Sequence, residues 1–264
     1  MPELAEVDYY RKQWQCGWKQ KVLAVELHPN ARVLRGADTE VLRKTLTGAV
    51  LLSSEAHGKQ MFFQFSRNGW LGLHLGMTGE LRVERPGGPA GRHDHLVLRQ
   101  RRQSLVFSDP RQFGRVRFHA GETTPPWRAN LPATILSRQF TRGTMERFLQ
   151  RHGRRALKAV LLMQDGFPGI GNWMADEILW RAGLHPGRRA DHLTAFQKKK
   201  LFRHVRFVGR EAMRTVAVDF GDPPATWLFH RRWRAGGACP RDGSTLQRSD
   251  IGGRTTCWCG SCQK

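Results

Sequence analysis

Apolar positions set the first expectations. Leu4, Val7, Tyr10 and Trp14 recur at roughly helical spacing and Gly17 follows as a stop, so the pattern predicts a helix over residues 3–16. The period then changes. Short apolar or alternating runs at 22–27, 50–52, 61–65, 71–75, 95–98 and 105–107 are separated by Gly, Asn, Pro or charged clusters. Short strands with closely spaced turns predict a β-rich region over 22–119, folded as a sandwich. Residues 120–132 carry three prolines and form a bridge at an expected domain boundary. Helical periodicity takes over from Thr141. Leu157, Val160 and Leu161, then Ile178 and Leu179, mark two helices, the second expected to be capped by Asn172 and ended by Gly183. A third helix is expected from Thr194 to Thr215, with Phe196, Leu201, Val205 and Val208 on one face and Lys198, Lys199 and Lys200 as a solvated run. There is no internal repeat.

Charge narrows the partner. Lys plus Arg number 44 against 22 acidic residues in 264, a net charge of +22. Such an excess points to a polyanion, with nucleic acid as the default. No apolar run approaches the roughly 20 residues of a membrane span, and the start lacks the apolar segment of a secretory signal. The expectation is a soluble monomer of the cytoplasm, associated with the nucleoid through DNA. Of five cysteines, Cys16 stands alone and the rest fall between 239 and 262, which reads as a metal site rather than a disulfide framework.

Candidate chemistry begins at the first residues. Clipping of Met1 would leave Pro2 with a free secondary amine, and terminal amines titrate near pH 8, so part of the population is neutral and nucleophilic at neutral pH. Glu3 beside it can handle protons, a pairing suited to Schiff-base chemistry on a sugar carbon. Taken alone, the stretch reads first as a plain helix start with a dipole-friendly acid, and the rest of the chain reverses that preference. Gly169-Ile-Gly-Asn172 offers amides and a helix N-terminus for a phosphate, or is only a tight turn. Cys239, Cys259 and Cys262 fit a C-x2-C…C-x2-C zinc hairpin in which Asp242 stands where the second cysteine belongs; Cys257 is the other candidate for the fourth ligand. Arg254 lies at an expected hairpin tip, where a guanidinium can clamp phosphate. Arg111 and Phe113, in Asp109-Pro-Arg-Gln-Phe-Gly114, suit a wedge into a base stack, and Met77 is a further bulky residue in a turn. Core packing explains each singly, and Lys59 read alone is a solvated turn lysine.

Together these pieces resemble the formamidopyrimidine-DNA glycosylase and endonuclease VIII family of base-excision repair enzymes. The resemblance spans nearly the whole chain: the Met1-Pro-Glu-Leu start, His74-Leu-Gly-Met77, His93-Asp-His95, Asp109-Pro-Arg-Gln-Phe-Gly114, Gly169-Ile-Gly-Asn172, and Gly253-Arg-Thr with Cys259-x2-Cys-Gln263 at the end. It implies an α+β fold: an N-terminal helix and β-sandwich domain (1–120), a linker (121–134), a helix–two-turn–helix DNA-binding domain (135–230) and a zinc-finger β-hairpin (231–264) with one structural Zn2+. It implies a bifunctional glycosylase and abasic-site lyase acting on damaged double-stranded DNA, with the damaged base flipped out of the duplex. Pro2 would attack the sugar, Glu3 would protonate the opening ring, and Lys59 and Arg254 would assist β- and δ-elimination. Met77, Arg111 and Phe113 would fill the void, and His93, Arg111, Lys158 and Asn172 match DNA-contact positions.

Three departures stand out. Ala5 replaces a usual proline, Asp242 replaces a zinc cysteine, and residues 221–233 look shorter than in the oxidised-purine enzymes, lacking their glycine-rich capping loop. Leu228-Phe-His-Arg231 looks more like the endonuclease VIII branch, while the wedge looks like the purine branch, so the preferred lesion stays open. The competing hypothesis is a catalytically idle lesion- or junction-binding protein on the same scaffold. It has no need for Pro2, Glu3, Lys59 and Arg254 together.

Overall fold

The computed structural model describes residues Met1–Lys264. Two compact units make it up: Met1–Pro2 with Glu6–Leu131, and Glu3–Ala5 with Pro132–Lys264.

The first unit holds most of helix α1 (Leu4–Gln13), whose last turn tightens into a 3-10 segment over Trp14–Gly17 instead of staying α-helical to residue 16. Strands β1 (Val22–Leu27), β2 (Leu51–His57), β3 (Gln60–Phe65), β4 (Gly69–His74), β5 (Glu80–Glu84), β6 (Asp94–Gln100), β7 (Ser104–Ser108) and β8 (Arg115–Ala120) follow, with helix α2 (Thr39–Leu46) between β1 and β2. They form two antiparallel four-stranded sheets, ordered β1-β6-β7-β5 and β2-β3-β4-β8. The inward positions Phe63, Phe65, Leu71, Leu73, Leu96, Leu98, Leu105 and Phe107 are buried between them, which is the sandwich the alternation predicts. The Trp14 ring lies 4.8 Å from that of Phe63, tilted by 49°, and donates its indole N–H to the Arg82 carbonyl at 3.3 Å. Helix α2 and strands β5 and β8 were not evident from the pattern. Asp38 caps α2 by accepting from the Glu40 and Val41 amides, and only Leu42 and Leu46 reach the core. The Pro-rich bridge contains one helical turn, α3 (Pro126–Ala129).

The second unit is helical. Thr141 and Thr144 form a reciprocal cap on α4 (Arg142–Arg151). Helix α5 (Leu157–Leu161) leads through a tight turn to α6 (Asn172–Ala182), which Gly183 ends in the left-handed conformation. Helix α7 (Ala195–Arg214) buries Leu201, Val205, Val208 and Ala212, but Phe196 is 74% exposed, so it belongs to the opposite face from the one expected. After α8 (Val216–Asp219), the unit closes with the hairpin of β9 (Leu246–Asp250) and β10 (Thr255–Cys259). Leu4 and Ala5 pack in this unit's core with Ile170, Met174 and Ile178.

Candidate functional site

The start of α6 is organised around Glu3. Its carboxylate, 3% exposed, accepts hydrogen bonds from the backbone amides of Gly171 (2.9 Å), Trp173 (2.9 Å) and Met174 (3.1 Å). Leu4 adds its own amide to the Gly169 carbonyl at 3.0 Å. The first amides of a helix lack intrahelical partners and carry the positive end of the dipole, so a carboxylate there is both bonded and electrostatically favoured. Gly171 is a glycine for a direct reason: a Cβ there would lie 2.3 Å from the Glu3 carboxyl carbon. This arrangement corrects one expectation: Asn172 is the first helical residue and does not cap α6. Of the turn's amides, that of Gly171 serves an internal anion and that of Ile170 the Phe167 carbonyl. The Gly169 amide is likewise taken, by the Gln164 side chain at 3.0 Å.

Asn172 instead donates its side-chain amide to the Thr255 carbonyl at 2.9 Å, tying α6 to the hairpin one residue from Arg254. Arg254 is exposed at the tip, where Ile251 bonds back to its carbonyl at 3.0 Å. Lys158, which the resemblance places at a DNA-contact position, has no exposed side chain to offer. It is fully buried, its ammonium bonded to the Asn172 carbonyl at 2.7 Å and to Asp176. Burial pulls its pKa down and Asp176 opposes that shift. Asp176 also receives the Arg232 guanidinium at 2.7 Å and the Cys257 amide at 3.3 Å. Sequence reasoning gave Asp176 no role. The signal was available, since Asp176 and Glu177 interrupt an otherwise apolar helical stretch.

In the first unit, Asp109 plays the corresponding part. Fully buried at the end of β7, it accepts from the Thr78 hydroxyl (2.7 Å) and from the amides of Arg111 (3.3 Å) and Gly114 (2.7 Å). It thereby joins the Met77 turn to the Arg111–Phe113 loop. Gly76, at φ +64°, brings the two backbones so close that a Cβ would lie 2.4 Å from the Phe113 carbonyl carbon. The tips stay outside: Met77 is 41% and Phe113 49% exposed, with the Arg111 guanidinium 4.7 Å over the Phe113 ring. The His93 carbonyl accepts the Asp109 amide at 3.0 Å, which sets His93 at the base of the same loop. Lys59, in the turn between β2 and β3, has its ammonium 3.9 Å from the Met1 sulfur, and Pro2 is half-buried. Within this unit the structure therefore brings Lys59 to the chain's start and Met77 to Phe113.

The tail gathers Cys239, Asp242, Cys259 and Cys262, whose ligand atoms all lie within 4.8 Å of one another. Cys257 is outside this group, so Asp242 is the fourth member. Zn–S bonds of about 2.3 Å in a tetrahedron require sulfurs about 3.8 Å apart, and the Cys239 and Cys262 sulfurs are separated by 3.8 Å. Burial first, then Asp242 and the neighbouring thiols, push the Cys262 thiol up to about 12; a cation among these groups would draw that proton off. Ser244 donates its amide (3.1 Å) and hydroxyl (2.6 Å) to one Asp242 oxygen, while the other lies 3.1 Å from the Cys262 sulfur. The donor set fits a structural zinc.

Comparison with known proteins agrees with this geometry. Residues 1–116 match the formamidopyrimidine-DNA glycosylase N-terminal domain and residues 132–220 the formamidopyrimidine-DNA glycosylase H2TH domain. The chain is 32% identical to a formamidopyrimidine-DNA glycosylase of Solibacter usitatus and 33% identical to one of Xanthomonas euvesicatoria, each over the full length of both chains. Among solved structures, a Lactococcus lactis Fpg (MutM) in complex with DNA containing N7-benzyl-Fapy-dG has a TM-score of 0.87 at 25% identity. A MutM complex with DNA containing carbocyclic 8-oxo-G has a TM-score of 0.88 at 25% identity. Both cover all of this chain and are covered completely by it. The chain belongs to the formamidopyrimidine-DNA glycosylase and endonuclease VIII family.

Proposed function

We propose that this protein is a DNA glycosylase and abasic-site lyase of base-excision repair, acting on oxidised bases in duplex DNA. The observation that carries the reading is the three-amide grip on Glu3. It fixes a carboxyl group one residue from Pro2, and such fixing is what proton transfer to a reacting sugar requires. Removal of Met1 frees the Pro2 nitrogen. Its lone pair attacks C1′ of the damaged nucleotide, and the glycosidic pair leaves with the base, which takes up a proton. Glu3 delivers a proton to O4′ as the C1′–O4′ bond opens, leaving an iminium between Pro2 and C1′. Loss of a C2′ proton then expels the 3′ phosphate and loss of a C4′ proton the 5′ phosphate, with Lys59 and Arg254 assisting the two eliminations. The product is a one-nucleotide gap with phosphate at both ends.

Met77, Arg111 and Phe113 occupy the space of the extruded nucleotide. His93 and Asn172 act at the DNA contact, and Lys158, being buried, acts by holding the Asn172 carbonyl. Zinc on Cys239, Asp242, Cys259 and Cys262 rigidifies the hairpin that carries Arg254. The +22 charge supplies the affinity for DNA. The protein works as a monomer on the nucleoid; no helix is long and apolar enough to cross a membrane.

The test is product analysis on duplexes carrying 8-oxoguanine, an oxidised pyrimidine or an abasic site, with Pro2→Gly and Glu3→Gln alongside. Excision of one damaged base, with phosphate at both gap ends and dependence on both residues, supports the reading and identifies the lesion class. Tight lesion binding with no cleavage of any substrate favours the idle binder.

A further inference from the structure

A chain of buried charges runs through the second unit from the proposed acid to the hairpin. It begins at a single peptide group. The Trp173 N–H donates to Glu3 at 2.9 Å, and the carbonyl of the same peptide, that of Asn172, accepts the Lys158 ammonium at 2.7 Å. A carboxylate on one end of a peptide and an ammonium on the other polarise it in the same sense, which strengthens both bonds. Lys158 bonds next to one Asp176 oxygen. The other Asp176 oxygen accepts Nε (3.0 Å) and Nη2 (2.7 Å) of Arg232 and the Cys257 amide (3.3 Å) of β10. The signs alternate from Glu3 through Lys158 and Asp176 to Arg232, and all four residues are buried.

Asp176 thus ties α6 to three other segments: α5 through Lys158, the stretch after α8 through Arg232, and the hairpin through Cys257. The tip of the hairpin is seated on α5 as well. Gly252, at φ +66°, comes so close that a Cβ there would lie 2.8 Å from that of Ala159, the residue after Lys158. Within the tip, the Arg254 carbonyl accepts the Thr256 hydroxyl at 2.9 Å and the Ile251 amide at 3.0 Å. The backbone at Arg254 is therefore held from both sides, by Gly252 on Ala159 and by Cys257 on Asp176, while the residue itself stays exposed. Stability is a weak reason for such a chain, because well-packed apolar residues in place of buried ion pairs are often neutral or stabilising. Directional bonds to three segments are what an apolar side chain at position 176 could not supply.

We propose that Asp176 is a positioning residue for the strand-cutting reaction. It locks the α6 start that holds Glu3 and the hairpin that carries Arg254 into one frame, and so sets the reach of Arg254 without touching DNA. The inference rests on the glycosylase and lyase reading above, in which Arg254 assists the second elimination.

The experiment compares full-length Asp176→Asn with the unmodified protein on a duplex carrying a preformed abasic site. The Asn side chain keeps the shape, but its NH2 must face either Lys158 or the Arg232 and Cys257 donors. Three quantities are read: the yield of borohydride adduct, the ratio of δ- to β-elimination product, and amide hydrogen exchange over the hairpin strands. The adduct yield should change less than about twofold, because Pro2 is not part of the chain. The δ-to-β ratio should fall about tenfold, as expected for the loss of one charge-assisted hydrogen bond. Exchange in the hairpin should quicken while that of the first unit's strands stays the same. Arg254→Ala should also lower the ratio, and adding Asp176→Asn to it should lower it no further, since the one residue acts through the other. If Asp176→Asn fails to fold, Asp176→Asn/Arg232→Met, which removes the arginine left without an acid, carries the same readouts. A merely structural role would reduce adduct and both products together and keep the ratio. That outcome, unchanged hairpin exchange, or a further fall of the ratio in the variant combined with Arg254→Ala overturns the proposal. Absence of any Pro2-dependent adduct with the unmodified protein defeats the parent reading instead, and hairpin exchange then still decides whether Asp176 locks the hairpin.

Discussion

Asp109 and Glu3 are both buried carboxylates, and each accepts three hydrogen bonds from groups close to a turn. They differ in what they order. Asp109 gathers two loops of the first unit and leaves their tips, Met77 and Phe113, exposed, where the proposed function places the wedge. Glu3 gathers the start of α6, and in the proposed reaction the carboxylate is itself the working group. In the first case the buried acid is a fastener for the apparatus around it; in the second the apparatus fastens the acid. Substitution should separate the two: loss of the fastener degrades recognition, whereas loss of the held acid removes chemistry.

The largest effect is expected from Glu3→Gln. Base excision should fall at least hundredfold, because the amide delivers no comparable proton. One of the three amide donors would also face an NH2 in place of an oxygen, at a stability cost of about 1–3 kcal/mol. Single-turnover excision and thermal unfolding check the two parts; a variant with full excision rate would remove Glu3 from the chemistry.

Glu177, one residue from Asp176, isolates what burial alone does to an acid in this unit. Burial pushes it up to about 7 from 4.5, against the opposing pull of Arg181 and the Phe229 and Leu228 amides. Because the folded pKa is raised, the stabilising contribution is fully present below pH 4.5 and lost as pH rises through 7. The shift corresponds to about 3 kcal/mol. The unfolding free energy of the unmodified protein minus that of Glu177→Gln should therefore decline across this window; a flat difference would mean that the ion pair with Arg181 compensates burial.

Asp109→Ala comes next. With Thr78, Arg111 and Gly114 released, lesion-specific binding should weaken by about 1–3 kcal/mol while binding to undamaged duplex changes little. Arg111→Ala removes one tip and should show the same selectivity with a smaller loss. Equal losses on damaged and undamaged DNA would contradict the wedge role of these loops. The smallest effects belong to the tail. A strong chelator should weaken DNA binding and loosen the hairpin while the first unit stays folded, and Asp242→Cys should slow metal loss to a chromophoric chelator, since thiolate is the softer and commoner zinc ligand.

Legibility followed the same division. The sandwich could be read because six of its strands carry apolar runs, and the wedge because Arg111 and Phe113 stand two apart in a short exposed loop. Strand β8 escaped because Arg115, Arg117 and His119 alternate with only Val116 and Phe118, and α2 because Leu42 and Leu46 are its only core residues. The role of Gly171 is set by a residue 168 positions away, and Lys158 is buried because Asp176, 18 positions on, receives its charge. Local pattern carries no record of such pairings. The family motifs identified Glu3 and Gly169–Asn172 as parts of a site; only coordinates reveal that the one holds the other.

The most direct test of the central claim is to trap the protein on lesion-containing duplex with borohydride, digest the adduct and locate the attached sugar by mass spectrometry. The account predicts a reduced amine linkage on the Pro2 nitrogen of an N-terminal peptide lacking Met1. Attachment to Lys59 or another lysine, or no adduct with a substrate the protein cleaves, would contradict it.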